Sequence, residues 1–141
     1  MAKGHTSTCT IIRRAVLFLR IGIGALWMPV LERRSGLQEL FAVLSKQKDR
    51  YPCDKDTIRD LVHIWIRIIG LIRPQHCWNR TLLLYKFLKS AGYPVSLYTG
   101  LRKDAMTGTS ITGHSWVTVD GRIFDDRDDI ASEHYITFHY P

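Results

Sequence analysis

The sequence has few cysteines, and its three, Cys9, Cys53 and Cys77, include no CxxC pair. An odd number without that spacing excludes a complete disulfide framework and a conventional zinc motif. We therefore expect no metal and no cofactor, and a reducing cytoplasm as the location. The sequence also lacks an uninterrupted run of about 20 apolar residues, the length that a membrane-spanning helix needs.

Acidic residues are scarce, with 13 Asp and Glu against 20 Lys and Arg, for a net charge of +7. Residues 1 to 90 hold 16 Lys and Arg against 6 Asp and Glu, whereas residues 91 to 141 hold 4 against 7. A basic N-terminal part can attract an acidic peptide or partner, nucleic acid or an anionic membrane. No recognised reading motif accompanies these charges, so we predict no nucleic-acid partner.

An apolar segment from Ile11 to Leu31 carries three arginines and no small-residue cleavage site, which argues against a signal peptide. Its pattern predicts a helix that runs to about Trp27 and ends before Pro29. We interpret it as a helix that faces the core or a partner. An interfacial membrane helix is the less favoured alternative.

Three further helices follow from a 3.6-residue apolar period. The first covers Gly36 to Lys48. Its apolar stripe consists of Leu37, Leu40, Phe41 and Leu44. The second begins at an Asp56 or Thr57 cap and runs through Ile69, with a buried stripe of Ile58, Leu61, Val62, Trp65, Ile68 and Ile69. The third covers roughly Cys77 to Ser90 and ends at Gly92.

Beyond Pro94 the pattern changes from helical to extended, with predicted extended segments over 95–101, 114–119 and 122–126 and a final YITFHY. Asp120-Gly121 predicts a two-residue type I′ hairpin turn. We expect an α+β fold in which three or four antiparallel strands pack on the Cys77 helix. Residues 1–141 would form a single domain, with a helical part (1–70) and a catalytic core (71–141).

Cys77 is the candidate nucleophile because a helix N-terminus stabilises the reactive thiolate. Such a cysteine needs an imidazole to share its proton and a carboxylate to orient that imidazole. The pattern predicts that His114 begins a strand and that acidic residues lie on the next strand. The alternative for Cys77 is a buried small hydrophobic residue, and His114 could be a structural histidine.

The segment from 70 to 141 resembles the transglutaminase-like leader peptidases of lasso-peptide biosynthesis, the stand-alone B-protein peptidases. The shared motifs are Cys77-x-x-Arg80, Ala91-Gly92, Gly100-x-Arg102, His114-x-Trp116-Val117-x-x-Asp120-Gly121, and Asp126. The resemblance implies a transglutaminase-like (papain-like) core with the triad Cys77, His114 and Asp126. The first 70 residues match only in being helical and basic.

The resemblance also implies an activity: a cytoplasmic cysteine protease that removes the leader from a lasso-peptide precursor. The chain has no room for a fused leader-binding domain, so a separate leader-recognition protein is expected as partner, with the lasso cyclase as a further candidate. The oxyanion would be held by the Cys77 backbone N–H and a second donor, with Gln75 and His76 as candidates.

Two aspartates compete for the third position of the triad. In a regular hairpin about Asp120-Gly121, Asp125 shares a face with His114 and Asp126 points the other way. The family spacing favours Asp126, twelve residues after the histidine. We choose Asp126, which requires a bulge or a strand end after Phe124, and keep Asp125 as the substitute.

Two other functions remain open. The same triad could transfer the acyl group to an amine, as transglutaminases do. Alternatively, the chain could be a non-catalytic module whose basic helices bind a peptide or a membrane, in which case Cys77 would be unreactive toward iodoacetamide. The role of Arg80 is also open, since its side chain could bind a substrate carboxylate or only solvate the helix.

Overall fold

The fold begins with helices and ends with a sheet, in a computed structural model that describes residues 10–46, 52–74, 77–103 and 108–141. The helices are α1 (Ile11–Arg34), α2 (Leu37–Ser45), α3 (Lys55–Gly70), α4 (Cys77–Ser90) and α5 (Ile130–Glu133). The strands are β1 (Val95–Lys103), β2 (Ile111–Val119), β3 (Arg122–Phe124) and β4 (Tyr135–Tyr140). The α+β class is therefore confirmed. The short helix α5, of four residues, was not predicted.

The four strands form one antiparallel sheet in the order β3-β2-β1-β4. The β2–β3 hairpin has the predicted turn, because Asp120 and Gly121 have φ values of 52° and 74°. Positive φ at both central residues is the requirement of a type I′ turn. The turn sets the register, in which Val117 pairs with Phe124 at the end of β3.

Helix α4 lies between the sheet and the other helices, so it is buried on nearly every side. It contacts β1 and β2 on one side and α1, α2 and α3 on the other. Seven of its 14 residues are buried: Thr81, Leu82, Leu83, Leu84, Tyr85, Phe87 and Leu88. The Thr81 hydroxyl donates to the Ser115 carbonyl at 3.0 Å and accepts from the Ser115 hydroxyl at 3.2 Å. These polar contacts lock α4 against β2 in one register.

Helix α1 continues through Pro29 to Arg34, so the predicted end before Pro29 is wrong. A proline inside a helix lacks the N–H that would bond to the carbonyl four residues earlier, here that of Ala25. The Arg73 side chain supplies the missing donor, with Nη2 3.3 Å from the Ala25 oxygen. A partner from outside the helix thus compensates for the proline.

The start of α3 also differs from its prediction. Asp54 is the N-cap, and its carboxylate accepts from the Thr57 backbone N–H at 2.9 Å. Asp56 and Thr57 therefore lie inside the helix rather than at its cap. In the predicted stripe Ile58, Val62 and Ile69 are buried, whereas Ile68 is 39% exposed.

Helix α2 buries Leu40, Phe41 and Leu44 of its predicted stripe, but Leu37 is half exposed at the first position. The helix ends at Ser45 with Lys46 as its C-cap. Its predicted end at Lys48 lies outside the described residues. Helix α4 begins at Cys77 and ends at Ser90, as predicted, and Gly92 follows with a φ of 91°.

Among the described residues, α1 is long and apolar enough to cross a membrane by length and composition. One third of its most apolar window, 33%, is buried within the protein. Both a core helix and an N-terminal signal sequence can meet the same criterion, so length and composition alone do not assign α1 to a membrane.

The α1–α3 contact depends on a glycine and yields a stability prediction. A Cβ on Gly22 would lie within 2.7 Å of three ring atoms of Trp65, whose indole N–H donates to the Phe18 carbonyl at 2.7 Å. Gly22→Ala should therefore lower the free energy of unfolding by about 1–3 kcal/mol, despite the better helix propensity of alanine.

The matched control is Gly24→Ala, two residues along the same helix, where the nearest atom to a Cβ is 3.4 Å away. This variant should be neutral or slightly stabilising in urea denaturation. Equal stability of the two variants would contradict the close packing of α1 on Trp65.

Candidate active site

The structure brings His114 and Asp126 into direct contact. His114 lies on β2, and its Nε2 is 2.7 Å from Oδ2 of Asp126, which follows β3. An ionised carboxylate can only accept a hydrogen bond, so the Nε2 nitrogen carries the proton and donates it. In the neutral ring Nδ1 is then left with a free lone pair. The side chains are 26% and 12% exposed, which leaves the ring accessible at one edge.

The two consecutive carboxylates point to different partners because the chain turns sharply between them. Asp125 has a φ of 64°, in the left-handed region, directly after the last paired residue of β3, Phe124. This turn sends Asp126 to His114, while Oδ2 of Asp125 lies 2.6 Å from Nε2 of His63. Asp125, the substitute in the sequence prediction, therefore faces a different histidine.

His63 was missed by the sequence analysis. It lies on α3, 62 residues before Asp125, and its side chain is 38% exposed. A single histidine on an amphipathic helix gives no signal of a distant partner, so only the tertiary structure could identify it. The contact anchors Asp125, whose side chain is 9% exposed, in its unusual backbone conformation.

Arg80 connects the two carboxylates. Its Nη2 donates to Oδ2 of Asp126 at 3.1 Å, and its Nε lies 3.9 Å from Oδ2 of Asp125. Neither role left open by the sequence describes this arrangement, because the guanidinium is paired inside the protein. Arg80 thus contacts the same Asp126 oxygen as His114 and ties both carboxylates to α4.

The contacts of Asp126 also determine its ionisation. Burial raises the pKa of this carboxyl, but hydrogen bonds from His114 and from the Arg127 backbone N–H lower it, as do the charges of His114 and Arg80. The favourable contacts prevail, and the pKa of Asp126 lies below its ordinary value of 3.8. Asp126 is therefore an anion throughout the neutral range.

Cys77 is the first residue of α4 and is partly exposed. Residues three and four positions apart lie on one face of a helix, so Cys77 shares a face with Arg80 and Thr81. Those side chains contact Asp126 and Ser115, the neighbour of His114. These contacts therefore place the first turn of α4, which carries the Cys77 thiol, next to His114 of β2 and to Asp126, which follows β3.

The other cysteines differ in setting. Cys53 is 5% exposed and belongs to the hydrophobic core, where its carbonyl accepts from the Tyr93 hydroxyl at 3.1 Å. Cys9 and both candidate oxyanion donors, Gln75 and His76, lie outside the described residues. Of the two described cysteines, Cys77 alone begins a helix.

A cavity of about 410 Å³ opens beside His114. Its lining consists of Arg102, Thr112, Gly113, His114, Asp126, Arg127, Ile130 and His134. His134 is close to His114, at 5.7 Å between ring centroids, because Gly100 of β1 lacks the Cβ that would lie 2.7 Å from the His134 Cβ. Arg102 and Arg127 both pair with Glu133 and form a charged rim.

Within the described parts of the chain, no group of three or more His, Cys, Asp and Glu side chains is placed to hold a metal ion. The site itself offers a thiol, an imidazole and a carboxylate. Together they can support nucleophilic attack by sulfur and proton transfer by the ring.

A cysteine at the start of a buried helix, packed on an antiparallel sheet that carries a hydrogen-bonded His–Asp pair, defines a protein with a transglutaminase-like core. The family model described as Transglutaminase-like superfamily matches residues 23–137, and the chain belongs to that superfamily. Its members are typically cysteine proteases or acyltransferases. No curated protein and no solved structure gives a significant match.

The extent of the match adds to what the sequence motifs indicate. The resemblance seen in the motifs covers about residues 70 to 141, whereas the family match begins at residue 23, inside α1. The match therefore includes residues 23–70 of the helical part, and with them α3, which supplies His63.

The backbone at Asp125 yields a prediction that separates conformation from side-chain contacts. Asp125→Gly and Asp125→Ala both lose the contact with His63, but only glycine adopts a φ of 64° without strain. Asp125→Ala should therefore be less stable than Asp125→Gly by about 1–2 kcal/mol. The difference is measured by urea denaturation, and equal stabilities would show that the left-handed turn is not retained.

A second prediction concerns Asp126 and pH. Because its folded pKa is lowered, its stabilising effect is complete above 3.8 and is lost as the pH falls through the folded value. Asp126→Asn should lower stability at pH 6 by about 1.5 kcal/mol.

Denaturation curves of wild type and Asp126→Asn between neutral pH and strong acid provide the test. The stability difference should shrink toward low pH. A difference that stays constant across the acid range would contradict an ionised Asp126 in the folded protein.

Proposed function

We propose that the protein is a cysteine peptidase that removes the leader from a lasso-peptide precursor, with Cys77, His114 and Asp126 as its triad. The observation that carries the proposal is the 2.7 Å hydrogen bond between His114 and Asp126 beside the helix that begins at Cys77. Papain-like and transglutaminase-like enzymes use the same order of nucleophile, base and orienting amide or carboxylate.

In the first step, the Cys77 sulfur attacks the carbonyl carbon of the scissile peptide bond. Nδ1 of His114 takes the thiol proton, because Nε2 is already engaged by Asp126. The tetrahedral intermediate collapses to a thioester as the C–N bond breaks, and His114 returns the proton to the leaving amine. The products of this step are an acyl-enzyme and the freed C-terminal fragment.

In the second step, water attacks the thioester carbon and gives its proton to His114. The C–S bond breaks, the leader leaves as a carboxylic acid, and the thiol is restored. The negative charge that develops on oxygen in both steps needs hydrogen-bond donors. The backbone N–H at the start of α4 is one candidate donor.

Asp126 and Arg80 position the base in this mechanism. Asp126 holds the ring in the tautomer that leaves Nδ1 free, and it stabilises the imidazolium that forms. Arg80 and the Arg127 backbone N–H hold the carboxylate in place at 3.1 Å and 2.9 Å. A carboxylate fixed on several sides cannot rotate away from the ring between the two steps.

The assignment to lasso-peptide maturation is supported by the sequence motifs. Cys77-x-x-Arg80, Gly100-x-Arg102 and the His114 to Asp126 segment resemble those of the leader peptidases. We therefore propose a cytoplasmic enzyme that receives the precursor from a separate leader-recognition protein and passes the core peptide to a cyclase. Isolated from that partner, the enzyme should act slowly.

Acyl transfer to an amine uses the same acyl-enzyme and differs only in the second step, where an amine replaces water. Membership in the superfamily is compatible with both outcomes. The products distinguish them, because hydrolysis yields a free carboxylic acid on the leader and transfer yields an amide.

The proposal is tested by mass spectrometry of a candidate precursor peptide encoded beside this protein, incubated with its leader-binding partner. Wild-type enzyme should give one cut between leader and core with a free carboxylic acid. Cys77→Ala should give no product because the nucleophile is gone. An intact precursor with wild-type enzyme, under conditions where the partner binds leader, would refute the assigned substrate.

A substrate-free measurement tests the site itself. Cys77 should react with iodoacetamide faster than the buried Cys53, and His114→Ala should slow that reaction. Peptide mapping by mass spectrometry identifies the labelled residue. Equal labelling rates for the two cysteines in the folded protein would favour the non-catalytic module.

A further inference from the structure

The outward face of α1 carries an apolar stripe that the fold does not bury. This outer stripe consists of Ile12, Val16, Leu19, Ile23, Leu26 and Val30. Their exposed fractions range from 38% to 77%. The inner face of the same helix, with Leu17, Ile21 and Met28, packs in the core. Helix α1 is therefore apolar on two opposite faces, and among the residues that the structure describes only the inner face is buried.

The spacing of the outer stripe is that of a helix-to-helix seam. Successive members are four, three, four, three and four residues apart, which is the a/d pattern of a heptad repeat. Val16, Ile23 and Val30 fall at one position of the repeat, and Leu19 and Leu26 fall at the other. β-Branched residues at a and leucine at d are the combination that favours pairing of two helices.

Arginines line one edge of the outer stripe. Arg13, Arg20 and Arg34 share one heptad position, seven and fourteen residues apart. The opposite edge carries Ala15 and then Gly22, where α1 packs against Trp65 of α3. Charges at the edges of a seam select the partner and its orientation. A row of positive charge selects a helix with Asp or Glu at the facing positions.

A groove beside the outer stripe strengthens the case for an acidic partner. It has a volume of about 320 Å³ and is lined by Arg20, Ile23, Gly24, Trp27, Lys86 and Phe87. Burial lowers the pKa of Lys86, and the nearby charge of Arg20 lowers it further. A partner carboxylate placed in this groove would stabilise the charges of Arg20 and Lys86. An apolar side chain next to that carboxylate would fill the space above Gly24.

We propose that the outer stripe of α1 docks an amphipathic helix of a partner protein, one with an apolar heptad seam flanked by acidic residues. A second copy of this chain is a poor occupant, since it would bring two rows of arginine along one seam. The interface does not depend on the proposed catalytic function, because it is formed by α1 and α4 residues outside the His–Asp site.

The test uses a synthetic peptide of about four heptads with Ile at a, Leu at d and Glu at both e and g. Glutamates on both edges prevent the peptide from pairing with itself and keep it available for binding. Fluorescence anisotropy of the labelled peptide should show saturable binding to the full-length protein. A peptide of the same composition in scrambled order should not bind.

Two sets of variants locate the contact. Leu19→Gln together with Ile23→Gln should weaken binding by about tenfold or more, while the control Ile111→Gln, at a residue 63% exposed on β2, should leave it unchanged. Arg13→Glu together with Arg20→Glu should weaken binding of the glutamate peptide. The same variant should bind a peptide with Lys in place of Glu more tightly. Circular dichroism verifies that each variant remains folded.

Three results would overturn the proposal. The first is that the protein binds the glutamate and lysine peptides equally well, or that it binds neither of them. The second is self-association of the wild-type chain that is lost in the Leu19→Gln, Ile23→Gln variant, measured by analytical ultracentrifugation. The third is binding to phosphatidylcholine–phosphatidylglycerol vesicles through the same residues without binding of the peptide. The second result would assign the stripe to a second copy, and the third to an anionic membrane.

Discussion

The buried contact between α4 and β2 is the constraint on which the rest of the structure depends. Thr81 and Ser115 exchange hydrogen bonds inside an otherwise apolar interface. If α4 slid along the sheet, these groups would be left unsatisfied, at a cost of about 1–3 kcal/mol each. The contact therefore sets both the height and the rotation of α4, and with them the position of Cys77 relative to His114.

The second determinant is a single backbone conformation. The left-handed turn at Asp125 separates two adjacent carboxylates and gives each its own histidine. Arg80 then joins the two pairs, so that a series of contacts with a histidine at each end connects α3 to β2 across α4. A site of this kind is rigid because each member has at least one partner on another element.

Much of the fold could be predicted because its periodicities are strong. The helical stripes of α2 and α3, the Asp120-Gly121 turn and the bounds of α4 follow from local rules. The tolerance of Pro29 depends on Arg73, which is distant in sequence. The Asp54 N-cap and the short helix α5 depend on how the chain turns at the ends of helices and strands. Nothing in the sequence near His63 indicates that it contacts Asp125. Sequence patterns thus identify residues with local consequences and miss those defined by distant partners.

The site assembles from residues that are far apart in the chain. His63, Arg80, His114 and Asp126 come from α3, α4, β2 and the segment after β3. During synthesis the chain emerges from its N-terminus, so a nascent chain carries Cys77 well before His114 and Asp126 exist. Strand pairing between distant segments is also a slow step in folding. Under the proposed mechanism, an incomplete or unfolded chain therefore holds a thiol without its base, and the peptidase can form only after the strands of the sheet have paired.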